Sequence, residues 1–231
     1  MSRQFNIPTP LEGIVKAELE GLLHNHSNPQ DYQRNMTHLG ELLASTFVNK
    51  LSKNHKVLAI STAEDADYLL TGVLNKLAEN EVQTSVAVFW NHHHSLENKQ
   101  SVAPILHQYI QSGYEDADTI VIVKSVISGS CVVRTNLLAM FNEVKQAKKI
   151  FVVSPVMYYK AQSGLSSEFP PEIAEKFEYI YFAMDDERTV EGEVVPGIGG
   201  QVYELLGIDN QPVLTGYMPN LVKKAVLSSL S

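Results

Sequence analysis

The residues best suited to chemistry lie between positions 119 and 142, Thr-Ile-Val-Ile-Val-Lys-Ser-Val-Ile-Ser-Gly-Ser-Cys-Val-Val-Arg-Thr-Asn-Leu-Leu-Ala-Met-Phe-Asn. Their pattern predicts a buried strand, a turn of small residues and an amphipathic helix, the layout of a site that cradles phosphate. Backbone N–H groups of Gly129 to Val132 would open the helix, where unpaired donors and the positive end of the helix dipole attract an anion. Lys124 is the odd member, because many phosphate-sugar sites keep a carboxylate at that point.

Other groups invite chemistry more weakly. His92, His93 and His94 offer imidazoles, and Glu64, Asp65 and Glu97 could share their rim. Consecutive residues of a strand point to alternate faces, so at most His92 and His94 converge, and the run reads as a solvated loop with no metal assigned. Arg188, in Asp185-Asp186-Glu187-Arg188, is the cation best placed for an anionic ligand, with a local surface salt bridge as its ordinary role. Tyr158 and Tyr159, followed by Lys160, could stack on a base or pack beneath a flap. Asp116 and Asp118 read as solvated turn carboxylates. No Gly-x-Ser-x-Gly occurs, and no Gly-x-Gly-x-x-Gly follows the first strand.

The elements that must position these groups are legible from periodicity. Leu11, Ile14, Val15, Leu19, Leu22 and Leu23, then Tyr32, Met36, Leu39, Leu42, Leu43, Phe47 and Val48, recur every three or four residues and predict two helices. Ser27 or Asn28 would cap the second, with Pro29 in its first turn. Short apolar runs follow at Val57 to Ile60, Val86 to Trp90, Thr119 to Val123, Ile150 to Val153 and Tyr179 to Phe182, separated by helical stretches near 64–79, 101–112 and 131–147. Buried strands alternating with helices indicate a parallel sheet covered on both faces, whose ligands bind at the strands' carboxyl ends. Residues 189–209 are glycine-rich and should form a flap, and Pro219 to Leu230 a closing helix. The chain thus divides into a helical segment (1–50), an α/β core (51–188) and a flap with its helix (189–231), all one structural domain.

With 231 residues, 44% of them apolar, the chain can bury a sizeable core. Its formal charge of −8 offers no general field for nucleic acid or an anionic membrane. Cys131 is the sole cysteine, so neither an internal disulfide nor a thiolate metal cluster can form, and it reads as a small buried residue at a helix start. No run approaches a membrane span, and Met-Ser-Arg-Gln-Phe-Asn has no signal-peptide core, so a cytoplasmic location is expected.

The late segment Asp185, Gly192-Glu193-Val194-Val195-Pro196-Gly197-Ile198-Gly199 and Leu206-Gly207, together with the phosphate turn, resembles the uracil phosphoribosyltransferase group of type I phosphoribosyltransferases. The resemblance spans roughly residues 30 to 208. It implies a phosphoribosyltransferase-like sheet with helices on both faces, an amino-terminal helical pair, a carboxyl-terminal flap and a homodimer. It also implies a reaction in which a base nitrogen displaces pyrophosphate from phosphoribosyl pyrophosphate, with magnesium on the leaving group. Carried across by position, Val194, Val195, Pro196 and Gly197 would face the base. Ser128, Gly129, Ser130, Cys131 and Val132 would face the 5-phosphate, with Lys124 and Ser125 at the ribose end.

The departures fall where side chains act. The family's Asp-Pro-Met-Leu-Ala-Thr-Gly-Gly-Ser is here Lys124-Ser125-Val126-Ile127-Ser128-Gly129-Ser130-Cys131-Val132, which replaces an acceptor for ribose hydroxyls by a donor. The pyrophosphate-binding Arg-Ala-Gly becomes Glu64-Asp65-Ala66, and no Arg or Lys lies between Val57 and Asn75. One unrelieved like-charge pair at about 4 Å costs on the order of 4 kcal/mol, or about several hundredfold in affinity. An Arg-Asn-Glu-Glu-like loop becomes Asn91-His92-His93-His94, and Asp-x-Gly-Asp becomes Gly200-Gln201-Val202-Tyr203. The expectation is a diverged, weakly active or non-catalytic member that binds a nucleotide or sugar phosphate or serves as a dimeric regulatory module. The alternatives are an active, magnesium-dependent uracil phosphoribosyltransferase forming uridine monophosphate and pyrophosphate, and a structural adaptor for a protein partner.

Overall fold

A computed structural model describes residues 2–24, 28–95, 101–141, 143–144 and 146–228. The chain opens with strand β1 (Arg3–Phe5) and helices α1 (Glu12–His24) and α2 (Pro29–Phe47). Asn28 caps α2, its side-chain oxygen accepting from the N–H groups of Gln30 and Asp31; Ser27, the other candidate cap, lies outside the described residues. Strand β2 (Lys56–Thr62) leads through α3 (Ala63–Asp65) and a π-helical turn, Ala66–Leu70, into α4 (Thr71–Glu79). Next come β3 (Gln83–Asn91), a small hairpin of β4 (His94–Ser95) and β5 (Ser101–Val102), and β6 (Ile105–Ile110). Strands β7 (Thr119–Val123) and β8 (Val126–Ile127) precede α5 (Cys131–Phe141) and β9 (Lys149–Tyr158). Helices α6 (Ala161–Ser167) and α7 (Pro171–Ala174) lead to β10 (Phe177–Asp185). The flap hairpin of β11 (Glu187–Arg188) and β12 (Val194–Val195) follows, then α8 (Val202–Leu205), α9 (Pro212–Thr215) and α10 (Asn220–Ser228).

The main sheet runs β1-β10-β9-β7-β2-β3-β6, with β8 added beside β9. All five strands expected from the sequence form, and they are mutually parallel; the outer strands β1 and β6 are antiparallel to their neighbours, so the sheet is mixed. Strand alternation divides the core. Val57, Ala59, Val121, Val123, Phe151 and Val153 pack toward α1, α2 and α4, whereas Leu58, Ile60, Ile120, Ile122, Ile150 and Val152 pack toward α5 and α6. Each fully buried Val, Leu, Ile or Phe side chain among them stabilises the fold by about 1.5–3 kcal/mol.

Two expectations need correction. The stretch 101–112 is not helical: it forms β5 and β6. Val102, Ile105, Leu106 and Tyr109 have helical spacing, but Pro104 removes a helical N–H, and pairing with β3 supplies an antiparallel ladder with a bulge at Leu106, opposite Trp90 and Asn91. The helix expected over 131–147 ends at Phe141, and residues 142 and 145 lie outside the described residues, as do Glu97 and Leu230.

Helix α2 crosses the π turn and α4 at backbone contact. A methyl group on Gly72 would lie 2.0 Å from the carbonyl oxygen of Thr37, and one on Gly40 2.2 Å from that of Leu69. Neither neighbour is a side chain that can swing away. Gly72→Ala should therefore lower stability by about 1–3 kcal/mol through overpacking, read as a drop in Tm by calorimetry. Gly13, which has open space in α1, is the control, because Gly13→Ala should leave Tm level or raise it. Equal behaviour of the two variants would refute the close crossing.

Candidate functional site

Strand order places the crevice. From β2 the chain moves to β3 on one side, then returns to β7 on the other, so the carboxyl ends of β2 and β7 part and leave an opening between them. A cleft of about 230 Å³ lies there, floored by Glu64 and Lys124, flanked by Ser128, Gly129 and Cys131 to Val133 and by Asn91, His93 and Ser101, and roofed by Arg188, Val194 and Tyr203.

Of the turn residues, Ser128, Gly129, Cys131 and Val132 line the cleft. The backbone N–H groups of Ser128, Gly129 and Ser130 meet no acceptor among the described residues. Ser130 is turned aside, its hydroxyl donating to the Glu168 carboxylate, which also pairs with Arg134 at 2.9 Å. The Cys131 thiol lies 3.2 Å from the Ser101 carbonyl oxygen, and burial pushes its pKa up, so it stays protonated. Ser125 does not reach the cleft: it is fully buried, its N–H donates to Asp65 at 3.2 Å, and its hydroxyl has no hydrogen-bond partner among the described residues.

The floor is an ion triad. Lys124 Nζ donates to Asp65 Oδ2 at 2.8 Å and to Glu64 Oε1 at 3.1 Å. Desolvation would lower the lysine's pKa, but the two carboxylates outweigh it and the net direction is up, so the ammonium is fixed in its charged form. Asp65 Oδ2 also accepts from the Thr62 hydroxyl at 3.1 Å, and so ties the end of β2 to the strand break after β7. The unrelieved acidic pair expected from the sequence is therefore corrected: Lys124 offsets one of its two charges from within. Two carboxylates against one ammonium still leave a net negative floor. Burial, and next the charge of Glu64, raise the Tyr203 pKa, which keeps its phenol neutral above the triad.

The flap is anchored from the opposite end of the chain. Arg3 pairs bidentately with buried Asp185, both contacts 2.7 Å, and donates to the Gly197 carbonyl at 2.6 Å, while Asp185 accepts from the Gly197 N–H at 2.9 Å. Gly197 sits at φ +59°, with the preceding Val195–Pro196 bond cis. Both polar backbone groups of Gly197 are thus engaged, and of the four residues assigned to a base Val194 lines the cleft while Val195, Pro196 and Gly197 do not. Sequence reading missed Arg3, because the family resemblance starts well after it. It also missed the buried amide pair Asn91–Asn136, in which each side chain donates to the other, at 2.8 and 3.2 Å, and which fixes α5 to the end of β3.

His93 lines the cleft, and both its backbone groups are held by the Gln211 side chain at 2.8 and 2.9 Å. Burial, then Lys124 and His94, lower its pKa, so the ring is neutral at pH 7. No group of three His, Cys, Asp or Glu able to hold a metal gathers among the described residues. Glu64 and Asp65 are both engaged by Lys124. Arg188 lines the cleft with its guanidinium 5.1 Å from the Tyr158 ring centre, whereas Tyr158, Tyr159 and Lys160 stand outside it.

No protein-family model matches the chain, and no curated protein matches it in sequence. Among solved structures, the AQ2163 protein from Aquifex aeolicus superposes with a TM-score of 0.65 at 12% identity, over 87% of this chain and 96% of that one. A hypothetical protein from Neisseria gonorrhoeae with bound ppGpp gives 0.44 at 13% identity, over 66% and 80%. The hypoxanthine-guanine phosphoribosyltransferase of L. donovani gives 0.41 at 13%, over 68% and 84%. At such identities the likeness is one of fold. The central parallel strands, the reversal between β2 and β7 and the flap above their carboxyl ends define a phosphoribosyltransferase-like α/β fold. No helix among the described residues is long and apolar enough to cross a membrane.

The triad makes a direct prediction. Lys124→Met removes the ammonium that pairs with two buried carboxylates and should cost about 3–5 kcal/mol in urea unfolding. Lys124→Arg, which keeps the charge, should lose much less, and parity between the two would show that the ammonium is dispensable.

Proposed function

We propose that the cleft binds the monophosphate end of a nucleotide or sugar phosphate and that phosphoribosyl transfer is weak or lost. The observation that carries this reading is the Lys124–Glu64–Asp65 triad, which fills the loop after β2 where the resemblance expects a pyrophosphate-binding arginine. Free backbone donors at Ser128 to Ser130, at the start of α5, favour one phosphate. A net negative floor disfavours a second, more highly charged group beside it. The diverged uracil-type assignment rests on the flap motif around Val194 and Pro196 together with the turn from Ser128 to Val132. A cytoplasmic location and a regulatory role belong to the same proposal.

The test pairs binding with turnover. Uridine 5′-monophosphate or ribose 5-phosphate should raise Tm, by up to about 2.7 kcal/mol of added stability at a hundredfold excess over Kd. Gly129→Asp, whose side chain enters open space beside the turn, should abolish that shift while the protein stays folded. Uracil with phosphoribosyl pyrophosphate and magnesium should give no turnover above background. Sustained turnover near about one per second, within the ordinary range for enzymes, would reject the loss of transfer, and indifference to both monophosphates would reject the binding site.

A further inference from the structure

Away from the cleft, α9 and α10 pack on one face of β3. An apolar groove of about 810 Å³ runs between them, formed by Trp90, Val213, Met218, Val222, Val226 and Leu227. That volume lies in the range of sites for small molecules. Val222 and Val226, and beside them Lys223 and Leu227, are four residues apart along α10 and so share a side of the helix. In the sheet, His107 stands opposite Trp90 and Tyr109 opposite Val88, which brings an imidazole and a phenol to the same face.

The groove's aromatic groups already have their polar atoms occupied. Trp90 donates its indole N–H to the Tyr217 carbonyl at 2.8 Å, and the Tyr217 hydroxyl donates to Asp67, also at 2.8 Å. Trp90 is only 5% exposed, which leaves little ring to stack on a planar ligand, whereas Met218 and Leu227 are 45% and 67% exposed. The surface left to cover is therefore aliphatic and pliant, and it suits a hydrocarbon chain better than a ring. Charge narrows the choice further. In a chain of formal charge −8, no carboxylate among the described residues lines the groove. The full charge in its lining is the exposed Lys223 ammonium, which has no ion-pair partner among the described residues.

We propose that the groove binds an aliphatic carboxylate of medium chain length, with the hydrocarbon along Val213, Met218, Val222, Val226 and Leu227 and the carboxylate on Lys223. Covering the aliphatic lining supplies the affinity, and the ammonium selects the sign of the head group, because an ion pair and its hydrogen bond form with an anion alone. An acidic protein repels anions over most of its surface, so such a ligand is held where a local cation borders an apolar wall. The walls are set beforehand: Asp67 accepts from the N–H groups of Asn220 and Leu221 at 2.9 and 2.8 Å and fixes the start of α10.

Trp90 is the only tryptophan in the chain, so its fluorescence reports on the groove. Titration with decanoate below its aggregation threshold should give a saturable change that uridine 5′-monophosphate does not displace. From octanoate to decanoate, two added methylenes should tighten binding by about 15-fold. Lys223→Glu should weaken decanoate by about tenfold or more and leave decanol, the uncharged analogue, where it was, with circular dichroism unchanged. Fluorescence indifferent to decanoate overturns the proposal and leaves the groove to a peptide or another protein chain. So does an equal effect of Lys223→Glu on decanoate and decanol, displacement by uridine 5′-monophosphate, or binding to phospholipid vesicles without binding to the monomeric acid.

Discussion

One buried ammonium between two carboxylates governs the centre of this protein. Lys124 leaves the end of β7, whereas Glu64 and Asp65 follow β2, and these are the two strands that part at the reversal of the sheet. In most sheets of this class that opening is left for a ligand. Here its floor is closed by three side chains, and Asp65 adds bonds to Thr62 and to the Ser125 N–H that hold the strand break after β7 in place. The same contact therefore closes the floor and steadies the turn from Ser128 onward, which hangs from the residues that Asp65 grips.

The remaining walls are fixed by long-range polar contacts. The pair Asn91–Asn136 holds the middle of α5 against β3, and Arg3 with Asp185 holds the flap turn against β10. Both are buried or nearly so, where an unsatisfied partner costs about 1–3 kcal/mol for a neutral group and more for a charge. A cleft framed in this way is organised before any ligand arrives. The flap hairpin itself is less constrained, with Glu187 and Arg188 exposed on β11.

Much of the fold was legible because buried parallel strands are continuous apolar runs. Thr119 to Val123 has its predicted bounds, and Asn28 caps α2 as its position before Pro29 suggested. The edge strand β6 was not legible. A strand half exposed on its outer side carries no strict apolar run, and Val102, Ile105, Leu106 and Tyr109 fit a helical repeat until β3 supplies a partner. At the site, sequence identified Glu64, Asp65 and Lys124 as the anomalous residues but treated them separately. Their pairing depends on β2 and β7 being neighbours, which spacing along the chain does not encode. The assignment of Pro196 and Gly197 to a base came from the motif alone, and the use of Gly197 by Arg3 and Asp185 depends on a contact across almost the whole chain.

Strand β3 connects the two surfaces of interest. Asn91 faces the cleft and Trp90, one residue earlier, faces the groove, as alternation requires. The Trp90 indole N–H donates to the Tyr217 carbonyl at 2.8 Å, and Gln211, just before α9, brackets the backbone of His93. The carboxyl-terminal elements are thus tied to the same strand end that supplies the cleft wall. Asp67 completes the attachment by accepting from the Tyr217 hydroxyl and from the N–H groups of Asn220 and Leu221, all within 2.9 Å. That carboxylate lies in the π turn between β2 and α4, so α10 is secured to the segment that also carries Glu64 and Asp65. The carboxyl-terminal helix is consequently a fixed wall of the groove, held by the same short stretch of chain that closes the floor of the cleft.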